Sequence, residues 1–187
     1  MRELIITEFV SLDGVMEAPG GEAGYAHAGW VADFFDDDLG AYKLEEQLAA
    51  EVLLLGRKTY ESFYGAWPER DDEMADKINT MRKLVASTTL EGSDWENTRV
   101  ISSDLESVVR ATKEEEGEEP ILIAGSRSVA RALIAAGLVD QINLQVFPLV
   151  LGSGARFYPD SEDKLPLTLT SSRALETGVV LQQYRTL

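Results

Sequence analysis

Short apolar runs recur along the chain and predict buried strands. The clearest are residues 52–55 and 121–124, and residues 4–10, 84–86 and 100–101 predict three more strands. Between these runs, apolar residues return at helical spacing, for example at Val129, Ala132, Leu133 and Ala136. A charged segment at residues 104–119 predicts a helix with a solvated face. The first two thirds of the chain are therefore expected to alternate strands with helices.

The last third of the chain has a different pattern. Ile142, Leu144 and Val146 alternate with polar residues, which predicts a half-exposed strand. Residues 167–173 and 179–185 predict a terminal hairpin. Strand–helix alternation followed by a strand-rich end predicts an α/β fold with a mainly parallel sheet and antiparallel C-terminal strands. Because no repeat or linker interrupts the pattern, residues 1–187 are expected to form a single domain.

Composition excludes several classes of protein. The 187 residues include 33 Asp and Glu against 17 Lys and Arg, and the net charge of −16 argues against nucleic acid or an anionic membrane as a partner. There is no cysteine and only one histidine, His27, so the sequence excludes disulfides, thiolate chemistry and multi-histidine metal sites, and no metal is expected. The short, charged N-terminus and the lack of a long apolar run predict a cytoplasmic protein.

Cations and hydroxyls stand out against this acidic background at three predicted turns. Each turn follows an apolar strand, and ligands of α/β sheets bind at the carboxyl ends of the parallel strands. Helix N-termini and arginine side chains favour anions, so one polyanionic ligand of the size of a dinucleotide could contact all three turns. The turn residues are Gly56, Arg57, Lys58 and Thr59; Ser87 and Thr88; and Ala124, Gly125, Ser126 and Arg127.

Common phosphate and hydrolase motifs do not match. A Walker loop requires glycine directly before lysine, where this chain has Arg57, and a dinucleotide Gly-x-Gly-x-x-Gly starting at Gly152 fails at Phe157. A Ser/His/Asp triad would depend on His27, without a Gly-x-Ser-x-Gly elbow. None of these common motifs therefore identifies a ligand site in this chain.

Four segments together resemble dihydrofolate reductase-like proteins, and more closely the C-terminal reductase domain of bifunctional riboflavin-biosynthesis deaminase–reductases and its stand-alone relatives. The resemblance spans nearly the whole chain and implies a three-layer fold with helices on both faces of the sheet. The segments are residues 10–14 (Val-Ser-Leu-Asp-Gly), 55–61 (Leu-Gly-Arg-Lys-Thr-Tyr-Glu), 121–127 (Ile-Leu-Ile-Ala-Gly-Ser-Arg), and 137–154, which ends in Pro-Leu-Val-Leu-Gly-Ser-Gly.

The resemblance implies NADPH as the hydride donor and assigns the turns to it. Gly56, Arg57 and Thr59 correspond to positions at the cofactor's phosphates. Ser87 and Thr88 correspond to hydroxyls near the adenosine phosphate, and Arg57 with Thr88 would distinguish NADPH from NADH. Residues 124–126 correspond to a glycine-rich turn under the pyrophosphate. Asp13, a candidate catalytic residue, and Gly14, a candidate cofactor-binding residue, lie where the family's loop closes over the nicotinamide.

The chain also departs from dihydrofolate reductases. Ala124 and Ser126 replace glycines, and Gln145 stands where a threonine supports the substrate-binding acid. That acid should lie on the helix before the strand at 52–55. Residues 38–43 (Asp-Leu-Gly-Ala-Tyr-Lys) resemble the family's motif at this position, with a spacing to Gly56 that is two residues longer. This resemblance makes Asp38 the candidate for the acid. The alternatives for the acid are Asp33, Asp36 and Asp37.

The function implied is reduction of a small heterocyclic or sugar-imine or carbonyl substrate, as by a riboflavin-pathway 5-amino-6-(5-phosphoribosylamino)uracil reductase. An acid, with Asp38 as the candidate, would protonate or polarise the acceptor. Two alternatives stay open: a non-catalytic nucleotide- or ligand-binding protein on the same fold, and a genuine dihydrofolate reductase. In relatives the region 148–154 often helps to form a homodimer, which is the expected assembly.

Overall fold

Eight strands form one mixed sheet in the computed structural model, which describes residues 1–158 and 164–187. The strand order is β4-β3-β2-β5-β1-β6-β8-β7; β2 pairs in parallel with β3 and β5, β3 pairs in parallel with β4, and β8 pairs antiparallel with β6 and β7. This confirms the predicted α/β class with antiparallel C-terminal strands. The strands are β1 (Leu4–Ser11), β2 (Val52–Gly56), β3 (Arg82–Ala86), β4 (Thr98–Ile101), β5 (Ile121–Ala124), β6 (Gln141–Phe147), β7 (Leu167–Ala174) and β8 (Val180–Thr186).

Helices lie between most consecutive strands of the first two thirds of the chain, as the spacing of apolar residues predicts, whereas β3 leads to β4 without a helix. A short 3₁₀ turn (Ala32–Phe34) precedes the first of them. The helices are α1 (Asp37–Ala49), α2 (Arg57–Tyr64), α3 (Glu73–Thr80), α4 (Leu105–Glu114) and α5 (Arg127–Ala135).

The chain divides into two compact units. The first comprises Met1–Ile6 and Tyr42–Asp140 and contains β2 to β5 with the helices α2 to α5. The second comprises Thr7–Ala41 and Gln141–Leu187 and contains β6, β7 and β8. That residues 1–187 form a single domain stays a prediction.

The core of the first unit is built on β2, in which all five residues are buried. A central strand of a parallel sheet is covered on both faces, so its sequence is a continuous apolar run without alternation. Leu53 and Leu55 pack with Tyr60, Ile78 and further apolar side chains of this unit. Because every residue of β2 is buried and packed, the carboxyl end of this strand, where the cation-bearing turn begins, is held in place.

The charged helix is shorter than the sequence predicts. The structure ends α4 at Glu114, and Glu115 is already extended (φ −60°, ψ 154°). Residues 116–119 are not helical, and the Arg2 guanidinium donates to the carbonyl oxygens of Glu116 (2.6 Å) and Glu119 (2.8 Å). The prediction of a helix to residue 119 is therefore wrong, because these carbonyls bind a distant arginine.

The apolar face of α5 also differs from the one that the sequence predicts, because Ala132, one of its predicted members, is exposed to solvent.

In the second unit the predicted half-exposed strand is buried on both faces. Gln145 on β6 is fully buried, and its side-chain amide lies 3.3 Å from the Thr7 hydroxyl. On the same side of β6, Phe147 is contacted edge-on by the rings of Phe9 and Trp30, with centroids 5.4 and 5.1 Å away. Polar residues at alternate positions thus do not imply exposure here, because aromatic residues cover this face.

Candidate functional site

The main cavity of the first unit is an open cleft of about 760 Å³ at the carboxyl ends of its parallel strands. Its walls come from the turns after β2, β3, β4 and β5, which is where ligands bind in open α/β sheets. Eight of the eleven residues predicted to bind the cofactor line this one cleft. They are Gly56, Arg57, Lys58, Thr59, Ser87, Thr88, Ser126 and Arg127.

The cleft carries positive charge on an acidic protein. Arg57, Lys58 and Arg127 line it with exposed side chains, and among the described residues Asp104 is the one acid in its wall. The Arg57 guanidinium makes an exposed ion pair with Glu61 one helical turn away, at 3.0 Å. Arg57 and Arg127 begin α2 and α5, where backbone N–H groups have no preceding helical turn to bond. The cleft is therefore suited to an anionic ligand.

Three predicted cofactor residues lie outside the lining of the cleft. Ala124 is buried at the end of β5, and Gly125 follows it in the turn before α5. A Cβ atom on Gly125, whose φ is +59°, would lie 3.0 Å from the Thr59 side chain, so this position requires glycine for both space and conformation. Gly14 belongs to the second unit.

The end of β4 contributes residues that the sequence analysis missed. Ser102, Ser103 and Asp104 line the cleft, together with Thr89 and Ser128. The signal was present, because an apolar strand followed at once by hydroxyl residues is the same pattern as at Ser87 and Thr88. The Asp104 carboxylate also caps α4 by accepting from the Ser107 N–H at 3.4 Å.

In the second unit, Asp13 joins two segments of chain. Its carboxylate accepts hydrogen bonds from the Ser11 hydroxyl (2.7 Å) and from the backbone N–H groups of Leu151 (3.1 Å) and Gly152 (2.9 Å). The Ser11 bond, followed by the two backbone bonds, lowers the pKa of Asp13 from 3.8 to about 2 against an opposing effect of burial. Asp13 is therefore an ionised acceptor that ties the turn after β1 to the 151–152 segment.

The four aspartates near α1 differ in environment. Asp36 caps the helix, because its Oδ1 accepts from the Leu39 N–H at 2.9 Å. Asp37 and Asp38 are exposed on the first turn, where a carboxylate opposes the helix dipole favourably, and Asp33 is exposed in the 3₁₀ turn. Nothing in these contacts singles out Asp38 as an acid of unusual chemistry.

Two tryptophans, Trp30 and Trp67, each pack within their own unit. Trp30 is 7% exposed and donates its indole N–H to the Glu17 carbonyl oxygen at 2.8 Å. Trp67 packs edge-on against Phe63, and the Arg70 guanidinium stacks over its ring at 4.3 Å. The contacts of both rings are those of core and surface packing.

Two features are absent from residues 1–158 and 164–187. No helix there is both long and apolar enough to cross a bilayer. No group of three or more histidine or acidic side chains in those ranges could hold a metal ion.

The mixed α/β sheet, with a cation-lined cleft at the carboxyl ends of parallel strands, places the chain in the class of open α/β proteins. Within that class, the chain belongs to the RibD C-terminal domain family, whose model matches residues 2–181. The family resemblance found in the sequence is thereby confirmed.

Two individual proteins are similar to this chain over nearly its whole length. YyaP of Bacillus subtilis (strain 168), a protein described as uncharacterized, is 27% identical over 184 residues, covering 96% of this chain and 92% of YyaP. A Shewanella sp. PV-4 protein with a provisional riboflavin-biosynthesis name has a similar structure, with a TM-score of 0.77 at 16% identity over 99% of both chains.

A bifunctional enzyme of Thermotoga maritima shares the fold as well. It is named a diaminohydroxyphosphoribosylaminopyrimidine deaminase/5-amino-6-(5-phosphoribosylamino)uracil reductase, and the TM-score is 0.67 at 15% identity. The match covers all of this chain and 57% of that protein. These neighbours confirm the dihydrofolate reductase-like fold predicted from the sequence.

Proposed function

We propose that this protein is an NADPH-dependent reductase that transfers hydride to a small heterocyclic substrate, or to the imine or carbonyl carbon of a sugar-bearing one. The observation that carries the proposal is the cation-lined cleft at the strand ends in a member of the RibD C-terminal domain family. The name of the Thermotoga relative makes 5-amino-6-(5-phosphoribosylamino)uracil reduction the first reaction to test.

The cleft fits a dinucleotide in size and charge. Its volume of about 760 Å³ lies within the range of cofactor pockets. The N–H groups at the starts of α2 and α5 suit a pyrophosphate, with Gly56, Thr59 and Ser126 forming the adjoining wall. Arg57, which lines the same cleft as the hydroxyl residues Ser87 and Thr88, would hold the extra phosphate of NADPH through charge-assisted hydrogen bonds. NADPH, when bound, supplies the hydride, and the protein supplies orientation and electrostatics.

For Asp13 and Gly14 we propose a positioning role. A carboxylate with a pKa of about 2 is ionised at neutral pH, so it accepts hydrogen bonds and has no proton to give. Gly14, at φ +79°, closes the turn, and its carbonyl oxygen accepts from the Phe157 N–H at 2.9 Å. Together these bonds hold the loop that the family resemblance associates with closure over the nicotinamide.

Asp38 stays the proposed acid, and its environment also supports a second candidate function. The Asp38 carboxylate is exposed on the first turn of α1, where water competes for its hydrogen bonds, so protonation of a bound substrate by Asp38 would require a change of surroundings. This observation favours a non-catalytic nucleotide-binding protein as the alternative. Genuine dihydrofolate reduction is the weaker alternative. Gln145 stands at the position where dihydrofolate reductases have a threonine, and here its side chain is hydrogen-bonded to Thr7.

One assay separates these functions. The purified protein is incubated with NADPH and a panel containing the pyrimidine riboside substrate, dihydrofolate and simple carbonyl compounds, and NADPH oxidation is followed by absorbance. Turnover of the pyrimidine compound supports the proposal, and turnover of dihydrofolate supports the third function. Tight NADPH binding without turnover of any compound supports the binding protein. Absence of NADPH binding contradicts the proposal itself.

We also propose a homodimer. Two apolar side chains of the second unit, Leu12 and Val150, are each 67% exposed, and the Leu12 N–H donates to the Leu149 carbonyl oxygen at 2.9 Å. Exposed apolar neighbours of this kind mark interaction surfaces. Val150→Asp is expected to convert a dimer into a monomer in light scattering, whereas Leu48→Asp, at another exposed leucine, is not. A monomer mass for the unmodified protein at micromolar concentrations contradicts the dimer.

A further inference from the structure

One hydroxyl group spans the gap between the turns that follow β2 and β5. The two strands pair in register as far as Leu54 and Ile123, and beyond this point Gly56 and Ser126 line the cleft. There the Gly56 N–H donates to the Ser126 Oγ at 2.7 Å, and the same Oγ lies 3.3 Å from the Ala124 carbonyl oxygen, to which it donates. We refer to these two hydrogen bonds as the Ser126 bridge.

The backbone of Ser126 is held in an unusual conformation. It has φ 65° and ψ 50°, the left-handed region that non-glycine residues rarely adopt. Serine at a helix N-cap ordinarily accepts from a backbone N–H of its own helix, but within the described residues of α5 the Ser126 side chain accepts none. Its hydroxyl is directed across the gap to Gly56. The side chain therefore acts between two turns and does not cap its own helix.

The same two turns are also packed tightly against each other. A Cβ atom on Gly56 would lie 3.3 Å from Val129 Cγ2 and 3.5 Å from the Ser126 side chain. A Cβ atom on Gly125 would lie 3.0 Å from Thr59 on α2. Both glycines thus allow the close approach that brings the Ser126 hydroxyl within hydrogen-bond distance of the Gly56 N–H.

We propose that Ser126 is a positioning residue that fixes the spacing between the two cation-bearing turns of the cleft. Arg57 and Lys58 begin α2 and Arg127 begins α5, so the Ser126 bridge sets the distance between these positive charges before a ligand binds. The inference rests on the proposed function, in which one dinucleotide contacts both turns. Preorganisation of this kind strengthens binding by removing the cost of ordering the site.

The first test examines the bridge without any ligand. Amide hydrogen exchange at Gly56 is measured in the unmodified protein, in Ser126→Ala, and in Ser126→Gly, which also relieves the left-handed strain. Ser128→Ala is the matched control, because Ser128 lines the same cleft and its side chain bonds to no described residue. We expect exchange at Gly56 to be about tenfold faster or more in both Ser126 variants and unchanged in the control. Equal protection in all four proteins overturns the bridge.

The second test asks whether the bridge positions the turns for a ligand. NADPH spans both turns, whereas adenosine 2′-monophosphate is short enough to engage one. Loss of a neutral hydrogen bond predicts that Ser126→Ala and Ser126→Gly weaken NADPH binding by about two- to tenfold. Binding of adenosine 2′-monophosphate should not change, and Ser107→Ala, at an exposed serine of the first unit that does not line the cleft, should change neither affinity. A purely structural role would lower the melting temperature and leave the ratio of the two affinities unchanged.

The outcomes separate this inference from the proposed function. If the unmodified protein binds adenosine 2′-monophosphate but not NADPH, the proposed function fails, and exchange at Gly56 still decides whether the bridge exists. If NADPH binds and the Ser126 variants bind it as tightly as the unmodified protein, the positioning role is overturned while the proposed function stands.

Discussion

Replacing Arg57 with alanine should reduce the preference of the protein for NADPH over NADH. The Arg57 side chain is 46% exposed in the cleft and is paired with Glu61 at 3.0 Å. A charge-assisted hydrogen bond to a phosphate contributes about 1.5–3 kcal/mol, and giving up the exposed pair with Glu61 costs about 0.3–0.5 kcal/mol. The difference of about 1–2.5 kcal/mol corresponds to a loss of about five- to seventy-fold in NADPH affinity. The affinity for NADH, which lacks the extra phosphate, should change much less.

The assay is titration calorimetry with both nucleotides at one ionic strength, since exposed charges are screened by salt. Arg110→Ala serves as the control, because Arg110 is an exposed arginine of the first unit that does not line the cleft. Equal weakening of NADH and NADPH by Arg57→Ala would refute the assignment of Arg57 to the extra phosphate. No effect on either nucleotide would remove Arg57 from the site.

Three further changes test other parts of the structure. Asp104→Asn removes the acid from the wall of the cleft and should strengthen NADPH binding by about two- to fivefold at low salt. Glu106→Gln, on α4, should leave NADPH binding unchanged. Weaker NADPH binding in Asp104→Asn would contradict this. Asp13→Asn should lower the melting temperature at neutral pH. Because the folded pKa of Asp13 is depressed, this difference should shrink as the pH falls from 3.8 to about 2, and a difference independent of pH would argue against an ionised Asp13. Lys83 is fully buried and donates from its Nζ to three carbonyl oxygens at 2.7–2.9 Å around the end of α3. Lys83→Met should therefore lower the free energy of unfolding, measured by urea titration, by about 2–4 kcal/mol. A loss no larger than that of Lys77→Met would refute this.

The parallel half of the fold could be predicted from the sequence because its signals are local. A run such as Val52 to Leu55 is apolar at every position only where both faces of a strand are covered, and β2 is buried throughout. The turn at Gly56 and Arg57 was found for the same reason, since strand end, glycine and cations are adjacent in sequence. Topology then brings this turn to one edge of the sheet with the turns after β3 and β5.

Features that depend on distant contacts could not be predicted in this way. The end of α4 is determined by Arg2, more than one hundred residues away in sequence, which binds the carbonyl oxygens of Glu116 and Glu119. The burial of Gln145 depends on Thr7 and on aromatic rings from other segments. Asp13 is similar, because its partners at Leu151 and Gly152 are 138 and 139 residues away. Sequence spacing carries no signal for any of these contacts.

The proposal depends on the cleft being a site for NADPH, and thermal unfolding with added nucleotide tests this most directly. NADPH at one hundred times its dissociation constant should stabilise the protein by about 2.7 kcal/mol, or about 5–10 °C in the melting temperature of a chain of this length. NADH at the same concentration should give a clearly smaller shift. A melting temperature that does not change at millimolar NADPH, in a preparation that unfolds cooperatively, would contradict the account.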